Sequence, residues 1–155
     1  SIAPANFNCP GQIVVSGGLA ACERILALAE EAGFRAVALK VAGAFHSEFM
    51  RSAADGLREA LDVIEIRPPA VPVYANVSTE PHRDPATIRE WLVKQLVSPV
   101  LWQATIEARI REGFGLFFEI GPGHILTGLM RRINRRMPVV NVSDAAGLES
   151  VKESV

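Results

Sequence analysis

A short apolar run that ends in a glycine turn and continues into a helical pattern constrains this sequence most. Residues 116–120 are apolar except for Glu119, Gly121-Pro122-Gly123 follows at once, and residues 125–135 carry apolar side chains at helical spacing. A strand that is apolar on both faces is typical of a parallel sheet covered on both sides. A second such strand at 139–142 extends the pattern, so the later two-thirds of the chain predicts a mostly parallel α/β sheet.

The remaining sequence alternates in the same way between β-branched runs and amphipathic segments. The first third predicts a βαβ-like piece that could belong to a smaller antiparallel sheet. Pro10-Gly11 predicts a turn before the first strand, and Ser47 is in position to cap a helix. Strands are predicted at 12–16, 36–41 and 71–77, and helices at 19–32, 48–63, 84–96, 100–112 and 145–154.

Composition excludes several classes of protein. The chain has 155 residues, of which 49% are hydrophobic and 21% charged, so it suits one ordinary domain and not a disordered segment. Arg35 and Lys40 interrupt the apolar stretch at 34–45, which is too short to span a bilayer. A net charge of -1 gives no basic footprint for nucleic acid. Two cysteines, Cys9 and Cys22, predict neither a disulfide framework nor a metal site, and a reducing cytoplasm is expected.

Among the three histidines, His46 is the best candidate for chemistry. It lies between a predicted strand and a predicted helix, where α/β sheets display catalytic groups, and a neutral imidazole is a natural general base. A satisfied buried histidine explains the same position about equally well. We expect His82 to lie in a polar surface turn, and His124 to be an exposed residue at a helix start.

Four segments resemble the malonyl-CoA:acyl carrier protein transacylase family, in the family's order and spacing. They are Asn-Phe-Asn-Cys-Pro-Gly-Gln-Ile-Val-Val-Ser-Gly at 6–17, Gly-Ala-Phe-His-Ser at 43–47, Gln-Leu-Val-Ser-Pro-Val-Leu-Trp at 95–102, and Glu-Ile-Gly-Pro-Gly at 119–123 with Leu-Thr-Gly-Leu at 126–129. The resemblance implies acyl transfer in two covalent half-reactions, from coenzyme A to a serine and then to the phosphopantetheine thiol of acyl carrier protein. The thioester and the carrier protein are then substrates, and no cofactor or metal is expected.

The resemblance also implies roles for particular residues. His46 would be the general base and acid, and the main-chain carbonyl of Gln95 would orient it. Phe45 would fill the space that an α-methyl group needs, which favours malonyl over methylmalonyl by about 1–3 kcal/mol. Asn76 is either a hydrogen-bonding group behind the site or simply a strand-end cap.

The nucleophile of this family is not found in the sequence. None of the nine serines lies in a Gly-x-Ser-x-Gly turn, and the arginine that grips the malonyl carboxylate is also unmatched. We therefore expect the carboxyl-terminal part of a transacylase: residues 1–42 as the later part of a ferredoxin-like small subdomain, and 43–155 as part of an α/β-hydrolase-like large subdomain. Its partner would be the amino-terminal half of the same enzyme. Alone, the chain is expected to be inactive and poorly folded, with unpartnered apolar faces at Val14, Val37, Leu116, Phe117 and Phe118.

One basic concentration could dock the acidic carrier protein, or could simply be a solvated helix end. Its members are Arg111, Arg131, Arg132, Arg135 and Arg136. Two alternatives to a discrete transacylase stay open. One is the acyltransferase domain of a polyketide or multifunctional fatty acid synthase, and the other is a non-catalytic module that binds carrier protein.

Overall fold

Strands and helices are interspersed along residues 1–152, the part of the chain that the computed structural model describes. This mixed α/β order confirms the predicted class. The elements are β1 (Ile2–Cys9), β2 (Gln12–Gly17), α1 (Leu19–Glu31), a 3-10 turn (Glu48–Met50), α2 (Arg51–Asp62), β3 (Val73–Tyr74), β4 (Pro81–His82), α3 (Pro85–Gln95), α4 (Trp102–Arg111), β5 (Phe117–Ile120), α5 (Ile125–Ile133), β6 (Val139–Val142) and α6 (Ala145–Lys152).

The chain begins with an antiparallel hairpin of β1 and β2, in which Ile2 pairs with Gly17 and Cys9 with Gln12. Gly11 takes a φ of 72° in the connecting turn, a conformation that suits glycine because it has no Cβ. The sequence had indicated the turn and β2, but not that β1 is a strand. β1 also joins the later chain, since Phe7 N donates to Val100 O at 2.9 Å and Val100 N to Ala5 O at 2.8 Å.

A parallel pair, β5 with β6, lies beyond α4, as the apolar runs predicted. Phe117 pairs with Val139 and Ile120 with Val142, and α5 makes the crossover between the two strands. Within residues 1–152 no strand pairs with the other edge of β5. The Ile120 side chain is 80% exposed, and Leu116 and Phe118 are each 40% exposed. Burial of apolar side chains lowers the free energy, so this exposed apolar face of β5 is unusual for a folded protein.

Two predicted strands are wrong in whole or in part. Residues 36–41 form no strand: Val37 is 65% exposed and no neighbouring strand is present in the described chain. A strand is stabilised by its cross-strand partners, so a β-branched run without one stays irregular. Of the run at 71–77 only β3 is paired, two residues against β4. Pro72 directly precedes β3 and has no N–H to donate to a ladder.

A small hydrophobic core joins α2 to α3. Ala54 and Leu61 of α2 pack with Val93 of α3, and Leu57, Ile66, Leu96 and Val97 lie around them. The guanidinium of Arg89 in α3 donates to the carbonyls of Leu61 and Ile64 at the end of α2. The two helices are therefore antiparallel, and the chain just before α2 lies beside the end of α3. Among residues 1–152, no helix combines the length and apolar character needed to cross a bilayer.

The predicted start of α3 is confirmed in detail. Asp84 is its N-cap and Pro85 its first residue, and the Asp84 carboxylate accepts from Thr87 N at 2.8 Å. The backbone hydrogen bond from Thr87, with a second one from its hydroxyl, lowers the pKa of Asp84. Satisfying an otherwise free helical N–H in this way fixes where α3 begins.

Candidate active site

The backbone at His46 is unusual. His46 has a φ of 61°, and in the described chain it is the one non-glycine residue with positive φ. The left-handed conformation costs an L-residue roughly 1–2 kcal/mol, because Cβ crowds the following carbonyl oxygen. Such strain persists only where surrounding contacts compensate for it, and it concentrates at functional sites. His46 is half-buried in the loop that leads into the 3-10 turn.

The His46 ring is held by the end of α3. Its Nδ1 lies 2.9 Å from the main-chain oxygen of Gln95. A carbonyl oxygen can only accept, so Nδ1 carries the proton and donates it. Nε2 is then the unprotonated nitrogen, with its lone pair free to take a proton from a substrate or nucleophile. The antiparallel packing of α2 and α3 thus brings together the two residues that the sequence had associated across 49 positions.

The side chain of Gln95 has a separate contact. Its Nε2 lies 3.2 Å from His46 Nδ1 and 3.3 Å from Ser98 O. Because Nδ1 already carries a proton, the amide donates to Ser98 and not to the ring. The Gln95 carbonyl is available because α3 ends there, and residue 99 is proline, without the N–H that would take this oxygen in a longer helix.

Ser47 does not do what the sequence predicted. Although it occupies the N-cap position of the 3-10 turn, its side chain makes no capping hydrogen bond. The hydroxyl turns back and donates to Ala44 O at 2.5 Å, and the residue is only 4% exposed. The expected helix at 48–63 therefore starts as a 3-10 turn, and α2 begins at Arg51. Among the described side chains, no serine hydroxyl hydrogen-bonds to the His46 ring.

Phe45 lies beside the base and is open to solvent, with 43% of its side chain exposed. A Cβ built on Gly43 would lie 3.7 Å from both the Phe45 ring and the sulfur of Met50. The ring therefore folds back over Gly43 towards Met50, in the same loop as His46. Phe45 is therefore an exposed aromatic residue next to His46 in the chain.

A cavity of about 250 Å³ is lined by Gln95, Asn76, Tyr74, His82 and Trp91 among others. Asn76 is exposed, and its main-chain oxygen accepts from Leu101 N. Asn76 and Gln95 line the same cavity, but no hydrogen bond between Asn76 and His46 is present among the described residues.

His82 is not the surface residue that the polar turn predicted. It is buried, and its ring stacks on Trp91 with centroids 5.0 Å apart. Trp91 covers it from the first turns of α3, and no pattern in the polar turn itself could reveal that contact. His124 is exposed at the N-cap of α5, as expected.

Glu119 has a structural role that sequence reasoning missed. Its carboxylate accepts from Leu126 N and Thr127 N, both at 2.8 Å, and from the Thr127 hydroxyl at 2.6 Å. Asn141 of β6 donates to the same group at 3.3 Å. Burial raises the pKa of Glu119, but these hydrogen bonds outweigh it and lower the pKa to about 2. Glu119 therefore caps α5 across the glycine turn, where Gly121 and Gly123 have φ of 137° and 90°.

The basic residues separate into two groups. Arg131, Arg135 and Arg136 are exposed at the end of α5 and in the following turn, and Arg111 is exposed at the end of α4. Arg132 instead donates to Gln12 Oε1 at 2.8 Å and to Pro10 O at 3.0 Å. It ties α5 to the turn between β1 and β2. Among residues 1–152, no cluster of three or more His, Cys, Asp or Glu could hold a metal ion.

Comparison with known proteins places this geometry in a family. The family model described as "Acyl transferase domain" matches residues 1–151. The chain belongs to the acyl transferase domain family. Two curated relatives, both malonyl CoA-acyl carrier protein transacylases, are 47% identical over 146 residues in Bacillus subtilis and 39% identical over 153 residues in Haemophilus influenzae. These matches cover 94% and 98% of this chain, and 46% and 49% of the relatives.

Solved structures of this acyl transferase family have the same fold. An acyl carrier protein S-malonyltransferase from Vibrio cholerae superposes with a TM-score of 0.92 at 40% identity, over 97% of this chain and 49% of its own. A malonyl-transacylase in complex with a type II polyketide synthase acyl-carrier protein superposes with a TM-score of 0.95 at 39% identity, over 100% of this chain and 50% of its own. The chain thus spans about half the length of the curated relatives it matches.

Proposed function

We propose that this chain is the carboxyl-terminal, histidine-bearing part of a malonyl-CoA:acyl carrier protein transacylase of fatty acid biosynthesis. The observation that carries the proposal is the hydrogen bond from His46 Nδ1 to Gln95 O at 2.9 Å, which leaves Nε2 as a base. The curated relatives, named as malonyl transacylases, support the substrate assignment. Residues 1–42 would complete a ferredoxin-like small subdomain and 43–155 an α/β-hydrolase-like large one, each together with the amino-terminal half.

The proposed reaction has two half-steps at one site. His46 Nε2 takes the hydroxyl proton of a serine in the amino-terminal half, and the serine oxygen attacks the malonyl thioester carbon. The carbon–sulfur bond breaks, and the protonated His46 gives its proton to the departing coenzyme A thiolate. In the second half-step His46 accepts the phosphopantetheine thiol proton, the sulfur attacks the malonyl ester, and the serine oxygen leaves with the proton from Nε2. No cofactor takes part in either half-step.

The orientation of the His46 ring matters because the same nitrogen must act as base and then as acid. The imidazolium that forms in each half-step keeps its Nδ1–H on the Gln95 carbonyl, so the ring does not turn between the two roles. A main-chain acceptor needs no particular side chain, so the fold itself supplies it. Phe45, exposed beside the base, would limit the space at the α-carbon of the acyl group.

The partners follow from the same proposal. The acidic carrier protein would meet the exposed arginines 131, 135 and 136, as in general electrostatic steering. The open edge of β5 and the irregular run at 36–41 would be completed by the amino-terminal half. The isolated chain would then be inactive and poorly folded.

Malonyl transfer by a full-length protein containing this chain tests the proposal. The assay follows malonyl-CoA consumption with holo-carrier protein, and with apo-carrier protein as the blank. His46→Gln should lower kcat/KM by about 10²- to 10⁴-fold, the usual contribution of a general base. His124→Gln, an exposed histidine at another helix start, should leave it unchanged. Carrier-protein binding without malonyl transfer would instead indicate a non-catalytic module.

A further inference from the structure

The loop that carries His46 is closed by one buried hydroxyl. Ser47 Oγ donates to Ala44 O at 2.5 Å, so the four residues 44–47 form a ring that contains His46. Ser47 O also accepts from Met50 N at 3.0 Å, which fixes the same residue to the start of the 3-10 turn. The side chain of Ser47 thus binds the residues before it, and its main chain binds the residues after it.

Among the described residues, Ala44 O is the hydrogen-bond partner of the Ser47 hydroxyl. The hydroxyl makes no capping hydrogen bond to the 3-10 turn, and within the described chain it makes no hydrogen bond to the His46 ring. It is also shielded from water, since Ser47 is 4% exposed. A buried hydroxyl whose one hydrogen bond spans a strained residue acts on the conformation of that residue.

We propose that Ser47 is a positioning residue that holds His46 in its left-handed backbone conformation, and thereby keeps Nδ1 aimed at Gln95 O. The proposal rests on the transacylase function, in which Nε2 must face the serine and the thiol in turn. The loop has two restraints on the strained residue, the Ser47 hydroxyl on the main chain and the Gln95 carbonyl on the ring. Without the first, the backbone at residue 46 can relax to negative φ, and the ring then leaves the carbonyl.

The test compares Ser47→Ala with Ser47→Thr in a full-length protein that contains this chain. Ser47→Ala should lower kcat about 10- to 100-fold, the cost of a misplaced catalytic group, with KM for malonyl-CoA nearly unchanged. Ser47→Thr keeps the hydroxyl and should restore most of kcat. The NMR signal of the His46 Nδ1 proton should be protected in wild type and Ser47→Thr, and exchange rapidly with water in Ser47→Ala.

Thr105→Val is the matched control. Thr105 is also buried, and its hydroxyl also donates to a main-chain carbonyl, that of Leu101 at 2.9 Å, but on α4. Thr105→Val should lower the free energy of unfolding, as Ser47→Ala does, but should leave kcat unchanged. Equal kcat in Ser47→Ala and Thr105→Val, or no recovery in Ser47→Thr, would overturn the proposal. If wild type transfers no malonyl group, the proposed function fails, whereas the Nδ1 proton signal still decides the role of Ser47.

Discussion

The carboxylate of Glu119 offers the sharpest test of how the glycine turn is held. Glu119→Gln replaces one carboxylate oxygen by an NH₂ group. In either orientation of the new amide, its NH₂ group faces another donor, either Leu126 N or the N–H and hydroxyl of Thr127. In wild type all three of these groups donate to carboxylate oxygens. A pKa lowered from 4.5 to about 2 corresponds to about 3 kcal/mol of folding free energy for this one group. We therefore expect Glu119→Gln to destabilise the full-length protein by about 2–3 kcal/mol at pH 7.

The sign of the pH dependence follows from the direction of the shift. The pKa of Glu119 is lower in the folded state, so its contribution is complete above the unfolded value of 4.5 and is lost as the pH falls towards 2. Urea unfolding of wild type and Glu119→Gln should differ by a constant amount from pH 7 to pH 5. Below pH 4.5 the difference should narrow, by at most about 1.4 kcal/mol per pH unit.

Glu90→Gln is the control for loss of charge alone. Glu90 is exposed on α3, and its replacement should change stability by less than about 0.5 kcal/mol. If Glu119→Gln is as stable as Glu90→Gln, or if its difference in stability from wild type is the same at pH 5 and pH 3.5, the Glu119 carboxylate does not stabilise the glycine turn.

Two further predictions concern specificity and docking. Phe45→Ala should raise the ratio of methylmalonyl to malonyl transfer about tenfold, whereas Phe49→Ala, the neighbouring exposed phenylalanine, should leave it unchanged; competition between the two thioesters measures this. Arg131→Glu with Arg135→Glu should raise KM for carrier protein far more than KM for malonyl-CoA, and the effect should weaken in high salt. Arg132→Glu should instead lower stability, because Arg132 holds the hairpin turn. If the Arg131→Glu, Arg135→Glu variant changes KM for carrier protein and KM for malonyl-CoA equally, the proposed docking surface is wrong.

Elements that have a distinctive sequence pattern of their own were predicted correctly. Asp84-Pro85 fixed the start of α3, and the apolar runs at 116–120 and 139–142 gave the parallel pair, because each of these carries its own signal. The run at 36–41 misled because β-branched residues form a strand only beside another strand. β1 was missed for the opposite reason, since its pairing with β2 overrides a sequence that contains Pro4 and Asn residues.

The family resemblance predicted that His46 and Gln95 lie together, but not the conformation of the loop around them. His46 and Gln95 do lie together, which the antiparallel packing of α2 on α3 brings about and which neither residue's neighbours encode. The positive φ at His46 was not predicted, because it is a strained conformation that no residue pattern specifies. The Ser47 hydroxyl was expected to cap a helix, and a different local acceptor, Ala44 O, takes it instead. The burial of His82 under Trp91 was missed because no pattern in the polar turn reveals that contact. The cytoplasmic location stays a prediction.

Intact-protein mass spectrometry of a full-length protein that contains this chain tests the central claim most directly. The protein is mixed with malonyl-CoA without carrier protein, quenched within seconds, and mapped by peptide. We expect wild type to gain one malonyl group on a serine outside residues 1–155, and His46→Gln to gain it far more slowly. A malonyl group attached within residues 1–155, or equal rates for wild type and His46→Gln, would show that His46 is not the base for such a serine.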